Sequence, residues 1–414
     1  MNDASARRGP LAGVTVLDLT QHLSGPHATM ILGDFGARVI KIEPPSGDPT
    51  RRIGPYFEDG DSDYYHAANR NKESVILDLK APGGREALLA LAAESDIVFE
   101  NFRPGTLDKL GIAFDALSEV NPRIVLCSVT GFGQTGPYRN RPAFDIIVQG
   151  LSGGMSLTGE KQGKPVRSGL PIGDVAAGVY AAAGALAGLV EVAKTGRGTT
   201  VDVSMLDTQV ALLSYVGTYY LASGDVPGRQ GREHMSIPTY RAFTCGDGKE
   251  LVVAANTEAF WQGLARAFGV PELVDDPRFA DNERRREHRA ELDAVLEASA
   301  AASTAAELLA RLGEHGVPSA PINDVAEALA DPEIESRGMV VTLDGRGDRI
   351  RTLGSPVKFP GARTAFTASP RLGEDTERVL REVAGYDDAR LAELVASGAV
   401  RVARPEGAVG VPHD

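Results

Sequence analysis

The sequence predicts an α/β protein with two domains, a large one built on a parallel sheet and a smaller α+β one. In the N-terminal half, short apolar runs alternate with helical stretches, a pattern typical of a parallel sheet that helices cover on both faces. The composition changes near Gly224, where SGDVPGRQG is typical of a linker. Beyond it, a hairpin-like segment precedes charged helical stretches, which indicates the second domain.

Five apolar runs predict the strands of the large sheet. They cover residues 14–20, 38–43, 75–79, 96–100 and 123–129. The segment REALLALAAE, between the third and fourth runs, predicts one of the covering helices. A chain of 414 residues with 43% hydrophobic content can bury a large core.

The domain boundaries follow from the linkers. We expect the large domain at 10–224, the small domain at 228–325, and a return segment at 332–403 that completes the large domain. Within the small domain, YRAFTCGDGKELVVAAN predicts a hairpin that turns at 246–248. The segment ERRREHRAELDAVLEASAAA predicts an amphipathic, solvated helix.

Composition argues against several partners. The net charge of −13 disfavours nucleic acid and anionic membranes, whose phosphates would repel the surface. The apolar run at 175–190 is shorter than the roughly 20 residues of a membrane span and is rich in Ala and Gly, so it predicts a buried helix. The start, MNDASARRGP, lacks the apolar core of a secretion signal. Cys127 and Cys245 belong to no CxxC motif, and a cytoplasmic location is expected.

Common cofactor and metal motifs are missing from the sequence. The turn after the first strand reads QHLSGPHAT, without the GxGxxG of a dinucleotide site, although Glu43 ends the second strand where a ribose-binding acid would lie. None of the seven histidines stands in a metal-ligand spacing, and no GxSxG is present. We therefore expect neither a prosthetic group nor a metal.

One acidic residue stands out in the segment RSGLPIGDVAAG. Asp174 follows a glycine and directly precedes the Ala/Gly-rich helix. It is compatible with a helix N-cap, for which aspartate is favoured, and with a reactive carboxylate at a helix start. Two glycine-containing loops lie upstream, QGLSGG and LTGEKQGKP, and either ordinary turns or donors to a reacting centre would explain them.

Five blocks in order resemble the family III CoA-transferases, over about 11–400. The blocks are VLDLTQHLSGPHATMILGDFGARVIKIEPP, NRNKESVILDLK, ENFRPGTLDKLGI, VTGFGQTGPY and SGLPIGDVAAG. The resemblance implies an enzyme that exchanges CoA between carboxylic acids, with Asp174 as nucleophile. It also implies a set of CoA contacts. These are Leu23, Ser24, Leu77, Lys80, Asn101, Phe102, Arg103, Lys109, Arg141 and Phe144.

The same resemblance implies an interlocked homodimer of chains with a Rossmann-like large domain and a linker helix at 203–223. Lys72, Lys80, Arg103 and Lys109 would then cluster at the carboxyl ends of the third and fourth strands, where α/β sheets bind ligands. CoA carries several phosphate charges, so it needs cations at that edge.

An aspartate suffices for this chemistry because its pKa near 4 leaves it ionised at pH 7, and no partner base is needed. The expected course is a mixed anhydride followed by an aspartyl-CoA thioester. Backbone N–H groups of 150–154 or of the first turn are the expected oxyanion donors. A helix N-terminus beside Asp174 should, however, blunt its nucleophilicity.

Departures from the family pattern narrow the substrate. Related acyl-CoA racemases carry a histidine where Phe144 stands, and phenylalanine cannot transfer a proton. Formyl-CoA:oxalate enzymes carry a glutamine where Leu23 stands. The closest pattern is the succinyl-CoA:dicarboxylate type, similar to glutarate enzymes, whose substrate-proximal region resembles REHMSIPTYRAF. Arg232 or His234 would then bind the remote carboxylate. Two alternatives stay open, an acyl-CoA racemase or epimerase and a catalytically silent CoA-binding protein.

Overall fold

The computed structural model describes residues 9–343, 350–360 and 366–402, and the chain divides into two compact units. The first comprises the described parts of Met1–Gly154, Arg167–Ser223 and Glu335–Asp414. The second comprises Met155–Val166 and Gly224–Ile334. The secretion-signal prediction rests on residues 1–8, which lie outside the described residues. Parts of the predicted return segment also lie outside them, namely 344–349, 361–365 and 403.

The second unit takes in one segment that the sequence assigned to the large domain. Met155–Val166 belongs to it, in addition to the range predicted for the small domain. The Arg229 side chain provides a physical reason, since it donates hydrogen bonds to the carbonyl groups of Glu160 at 3.2 Å and Gly163 at 2.7 Å.

The strands and helices are numbered in chain order. The strands are β1 Thr15–Asp18, β2 Arg38–Glu43, β3 Phe57–Glu58, β4 Asp61–Ser62, β5 Lys72–Leu77, β6 Ile97–Glu100, β7 Val125–Thr130, β8 Thr199–Ser204, β9 Tyr240–Thr244, β10 Glu250–Ala254, β11 Ser319–Pro321, β12 Val340–Thr342, β13 Arg351–Leu353 and β14 Val400–Arg401. The helices are α1 Ser24–Asp34, α2 Asp63–Asn69, α3 Pro82–Ala93, α4 Thr106–Leu110, α5 Phe114–Val120, α6 Asp145–Leu151, α7 Gly154–Leu157, α8 Ile172–Thr195, α9 Met205–Ala211, α10 Ser214–Ser223, α11 Glu258–Ala267, α12 Asn282–Glu287, α13 Arg289–Ala301, α14 Ala305–Glu314, α15 Val325–Leu329, α16 Pro332–Ser336, α17 Thr376–Glu382 and α18 Asp388–Ala396.

The first unit is built on a seven-stranded sheet with the order β14-β5-β2-β1-β6-β7-β8. All neighbours pair in parallel except β14, which runs antiparallel to β5. The predicted α/β class with a parallel sheet is confirmed. From β1 the chain continues to β2 and β5 on one side and returns to β6 on the other, so the strand order reverses between β1 and β6. At such a point the loops beyond the carboxyl ends diverge and leave a crevice.

Successive residues of these strands face opposite sides of the sheet and pack into two separate cores. Leu17 and Val98 belong to a core with residues of α3, α5, α17 and α18. Val16 and Phe99 belong to a core with residues of α1 and α8. The period of two in each strand produces this division, and burial of both faces explains why the strands are continuously apolar.

Helix α8 is longer than the apolar run suggested, and by length and composition alone it could cross a membrane. One side packs on α1, β7 and β8 through small buried residues that include Gly178, Ala181 and Ala185. On the other side Val179 and Tyr180 are exposed. The prediction of a buried helix is therefore confirmed for one side of α8, whereas the other side is exposed in the single chain.

The predicted linker helix at 203–223 is wrong as a single element. Its first residues finish β8, and two helices follow, α9 and α10. The side chain of Ser204 accepts a hydrogen bond from the backbone N–H of Asp207 at 3.1 Å, which caps the start of α9. Ser214 has a φ of 49°, a left-handed conformation that interrupts the helical path.

The second unit contains a three-stranded antiparallel sheet with the order β11-β10-β9. Strands β9 and β10 form the predicted hairpin, and Gly248 supplies the left-handed turn residue with a φ of 77°. The core contains Trp261, Phe243 and Leu292. The predicted charged helix is divided into α12 and α13 at His288, whose ψ of 27° leaves the helical range.

Candidate active site

A cavity of about 310 Å³ lies in the first unit, at the carboxyl ends of β1, β6 and β7. It therefore occupies the crevice where the strand order reverses. Seven of the residues predicted from the sequence line it. They are Ser24, Asn101, Phe102, Arg103, Arg141, Phe144 and Asp174. The fold thus assembles segments that are far apart in the chain around one carboxylate.

Four predicted CoA contacts lie outside this lining. Leu77 is 1% exposed and belongs to the core. Leu23 is 9% exposed and directly precedes α1. Lys80 and Lys109 are exposed. Their exposure is compatible with a charged ligand on the surface of the sheet edge.

Lys72 does not join the predicted cluster of cations. It is the first residue of β5, at the end of the strand opposite to the cavity, and its side chain is buried. Its ammonium group pairs with Asp18 Oδ2 at 2.9 Å and also donates to Asn69 Oδ1 at 2.9 Å. Burial lowers the pKa of Lys72 to about 8. This lysine has a structural role in the core.

The two residues predicted to bind the remote carboxylate belong to the second unit. The Arg232 guanidinium is paired with the Glu250 carboxylate at 2.9 Å. The His234 ring lies 5.4 Å from the Tyr240 ring, centroid to centroid. The charge of Arg232 is thus already balanced within its own unit.

Asp174 lies in the first turn of α8, and its position decides between the two interpretations of the sequence. The N-cap of α8 is Pro171, so the N-cap interpretation of Asp174 is wrong. Its carboxylate instead accepts a hydrogen bond from the Ser24 hydroxyl, which lowers its pKa. Burial and the charge of Asp145 act in the other direction and prevail, so the pKa of Asp174 rises to about 6.

A second carboxylate caps the helix that carries Asp174. Asp145 Oδ1 accepts a hydrogen bond from the backbone N–H of Gly173 at 2.7 Å. Its Oδ2 accepts one from Gln149 Nε2 at 2.6 Å, and Gln149 Oε1 accepts one from the Ser168 N–H at 2.9 Å. A negative charge at this position offsets the helix dipole. The charge of Asp145 therefore compensates for the loss of nucleophilicity that the helix N-terminus would cause in Asp174.

The turn after β1 is held by two side chains, those of Asn101 and Lys41. The side chain of Asn101 accepts from the Gln21 N–H at 2.9 Å and donates to the Gln21 carbonyl at 2.7 Å. Lys41 Nζ donates to the Thr20 carbonyl at 2.8 Å. His22 has a φ of 66°, a left-handed conformation that such contacts must stabilise. Asn101, predicted as a CoA contact, uses its amide to position this turn.

Sequence reasoning assigned no role to several other residues of the cavity, among them Tyr64, His22 and Arg139. Burial and the charge of Asp174 raise the pKa of Tyr64, so its phenol is close to the carboxylate. The His22 ring packs edge-on against Phe144, with centroids 6.0 Å apart. Although His22 lies in the first of the five blocks, no local pattern gives these residues a role, and the topology of the sheet brings them together.

A neighbouring cavity of about 360 Å³ shares Arg103 and Pro104 with the first. Burial raises the pKa of Glu100, which lines it, to about 7. Glu100 Oε2 accepts a hydrogen bond from the Phe102 N–H at 2.7 Å, which fixes the loop between the two cavities. Among the described residues, no group of three His, Cys, Asp or Glu side chains has a geometry that could hold a metal ion.

Comparisons with a family model and with individual relatives point to the same family. The model of CoA-transferase family III matches residues 11–376. A human succinyl-CoA:glutarate CoA-transferase is 38% identical over 94% of this chain and 90% of that protein. An acetyl-CoA:oxalate CoA-transferase from Acetobacter aceti is 39% identical over 91% of this chain and 96% of that protein.

A comparison with solved structures covers a similar share of the chain. A crystal structure of a CAIB/BAIF family protein from Brucella suis superposes with a TM-score of 0.81 at 37% identity, over 91% of this chain and 100% of that one. The similarity therefore includes both units and is not confined to the parallel sheet.

Proposed function

We propose that this chain, which belongs to CoA-transferase family III, moves CoA from succinyl-CoA to a dicarboxylic acid through a covalent intermediate on Asp174. The proposal rests on the location, the hydrogen bond and the pKa of the Asp174 side chain. Asp174 lines the cavity, is held by the Ser24 hydroxyl, and has a pKa of about 6. The names of the relatives support the substrate class, since glutarate and oxalate are both dicarboxylates.

The proposed reaction begins with an attack of the Asp174 carboxylate on the thioester carbonyl. The C–S bond breaks, CoA leaves as a thiolate, and a mixed anhydride forms. The thiolate then attacks the aspartyl carbonyl, which breaks the anhydride and frees the donor acid. The acceptor carboxylate attacks the resulting aspartyl-CoA thioester, the C–S bond breaks, the CoA thiolate leaves again, and a second anhydride forms. The thiolate finally attacks the acceptor's acyl carbon, which yields the new CoA ester and restores Asp174.

The raised pKa suits a nucleophile at neutral pH. A carboxyl group with a pKa of about 6 is about nine-tenths ionised at pH 7. A higher pKa accompanies a more basic and more nucleophilic carboxylate. Asp174 therefore needs no partner base, and the Ser24 hydrogen bond orients its carboxylate toward the cavity.

The CoA moiety would extend along the carboxyl edge of the sheet. Its proposed contacts are Leu23, Ser24, Leu77, Lys80, Asn101, Phe102, Arg103, Lys109, Arg141 and Phe144. Arg103 and Arg141 line the cavity, and Lys80 and Lys109 are exposed. Cations at these positions complement the phosphates of CoA despite the acidic surface of the chain.

The proposed assembly is an interlocked cytoplasmic homodimer. Exposed apolar side chains of the first unit support it, among them Val179 and Tyr180 on α8 and Leu221, which is 83% exposed, on α10. Apolar surface of this kind is typical of subunit interfaces. Light scattering coupled to size exclusion should give twice the chain mass of 43.6 kDa, and a monomer at micromolar concentration would contradict the dimer.

An acyl-CoA racemase of the same fold is the second candidate, and one observation favours it. Phe144 replaces the expected histidine, but His22 lines the same cavity and packs against Phe144 at 6.0 Å. His22 could supply the second base that a proton exchange at the α-carbon requires.

The decisive experiment is mass spectrometry of CoA esters after incubation with succinyl-CoA and a panel of carboxylates in D2O. A new CoA ester without deuterium at its α-carbon would support transfer, and Asp174→Asn should abolish it while the fold is retained. Deuterium in the original ester without a new ester would support the racemase. Transfer by Asp174→Asn near the wild-type rate, with deamidation excluded by mass, would contradict the mechanism.

A further inference from the structure

The cavity around Asp174 carries an excess of positive charge. Three arginines line it, Arg103, Arg139 and Arg141, and Asp174 is the one acidic side chain among the described residues of the lining. The chain as a whole has a net charge of −13. A local excess of cations on an acidic protein indicates an anionic ligand.

Two of these arginines, Arg139 and Arg141, lie in the connection after β7. Neither Arg139 nor Arg141 forms a salt bridge within the described part of the chain. The Arg141 guanidinium lies over the Tyr138 ring at 4.3 Å and faces the Phe132 ring at 5.7 Å. Arg139 is exposed and, among the described residues, has neither an ion pair nor a ring stacked on its guanidinium, so its charge is available to a ligand.

The loop that carries Arg139 is fixed by several contacts. The Gly131 carbonyl accepts a hydrogen bond from the Leu206 N–H at 3.1 Å, and Asp202 Oδ2 accepts one from the Gln134 N–H at 2.9 Å. The Phe132 and Tyr138 rings pack edge-on at 5.7 Å. These contacts anchor the start of the loop and Tyr138, the residue directly before Arg139, next to the cavity, which reduces the entropy lost on binding.

The order of the strands decides which part of the substrate meets this loop. Eight of the ten proposed CoA contacts lie at the exits of β5, β1 and β6, whereas Arg141 and Phe144 follow Arg139 in the connection after β7, on the other side of β6. A thioester carbonyl at Asp174 has CoA on one side and the acyl chain on the other. With most of CoA toward β5, the acyl chain would point toward Arg139, and Arg141 and Phe144 would meet the part of CoA next to the thioester.

We propose that Arg139 binds the second carboxylate of a dicarboxylic acyl group and thereby selects dicarboxylic over monocarboxylic substrates. The proposal rests on the function proposed above and identifies the residue that would recognise a dicarboxylic substrate. It replaces Arg232 in that role, because Arg232 is already paired with Glu250 at 2.9 Å. Arg141, held by its aromatic neighbours, remains a proposed contact of CoA.

The test is calorimetric binding of two acyl-CoA esters to the non-reacting Asp174→Asn enzyme. Succinyl-CoA and butyryl-CoA have acyl chains of the same length, and only the former ends in a carboxylate. We expect succinyl-CoA to bind about tenfold more tightly, and Arg139→Gln to remove this preference while butyryl-CoA binding stays unchanged. Arg139→Lys, which keeps the charge, should retain part of it.

Arg123→Gln is the matched control, because Arg123 is exposed and precedes β7 at its opposite end. It should leave both affinities unchanged. Equal weakening of both esters by Arg139→Gln would assign this arginine to CoA and overturn the proposal, as would an unaltered preference. Transfer by the wild-type enzyme is measured separately. An absence of transfer would count against the proposed function alone, since the binding preference needs no turnover.

Discussion

Asp145 accepts a hydrogen bond at 2.7 Å from the backbone N–H of Gly173, the residue directly before Asp174. The helix start that carries the proposed nucleophile is thus capped by a different carboxylate. The same charge helps to raise the pKa of Asp174 to about 6. Asp145 therefore acts as a positioning residue that keeps Asp174 basic in spite of the helix dipole.

Replacement of Asp145 by Asn should lower the pKa of Asp174. The amide oxygen can still accept from the Gly173 N–H, so the cap is kept and the charge is lost. The acid limb of the pH profile of kcat/KM is expected near pH 6 in the wild type, from the pKa of Asp174, and should move to lower pH in this variant. The rate at pH 7 should fall by up to about tenfold, because the carboxylate becomes less basic. An acid limb that stays in place would show that Asp145 serves only the fold.

Replacement of Ser24 by Ala should have the opposite effect on the same limb. The Ser24 hydroxyl donates to Asp174 and lowers its pKa, so its removal raises that pKa further. The acid limb should move to higher pH. Ser95→Ala is a suitable control, since Ser95 is equally buried and its hydroxyl bonds to the Leu91 carbonyl inside the fold. Movement of the limb in both variants would point to a general loss of stability.

The sequence predicted the parallel sheet and singled out Asp174, because apolar runs and a carboxylate before a helix are local signals. The positioning of Asp174 depends on Asp145, which lies 28 residues from Gly173, and no local pattern records that contact. Lys72 was misplaced although it precedes the predicted third strand, 75–79, because it was grouped with cations near it in the chain, whereas it begins β5 at the amino end of that strand. Strand β14 was missed because it is two residues long and pairs with β5 only after the chain returns.

Asp174→Asn should stabilise the protein at neutral pH while it abolishes transfer. The pKa of Asp174 is raised from 3.8 to about 6 on folding, so the folded chain binds the proton more tightly than the unfolded chain. The free energy of unfolding therefore decreases as the pH rises from about 4 to 6. Asparagine resembles the protonated form and should add about 1–3 kcal/mol at pH 7.5. Urea unfolding at pH 7.5 and pH 5 measures this gain, which should shrink at the lower pH.

Gly178→Ala should disturb the site because it changes the contact between α1 and α8. A Cβ at Gly178 would lie 2.7 Å from the Ser24 carbonyl oxygen, so one of the two helices must shift. We expect a loss of about 1–3 kcal/mol in the free energy of unfolding. The rate of transfer should also fall, because Ser24 holds the Asp174 carboxylate.

The matched control for this variant is Gly313→Ala. Gly313 lies in α14, and a Cβ there would meet no atom within 4 Å. The added methyl group should therefore stabilise the helix by about 0.5–1 kcal/mol, as alanine does in place of an exposed helical glycine. Urea unfolding of both variants, together with their transfer rates, gives the comparison. If Gly178→Ala behaved like Gly313→Ala in both measurements, close packing of α8 on α1 would not be what holds Ser24 against Asp174.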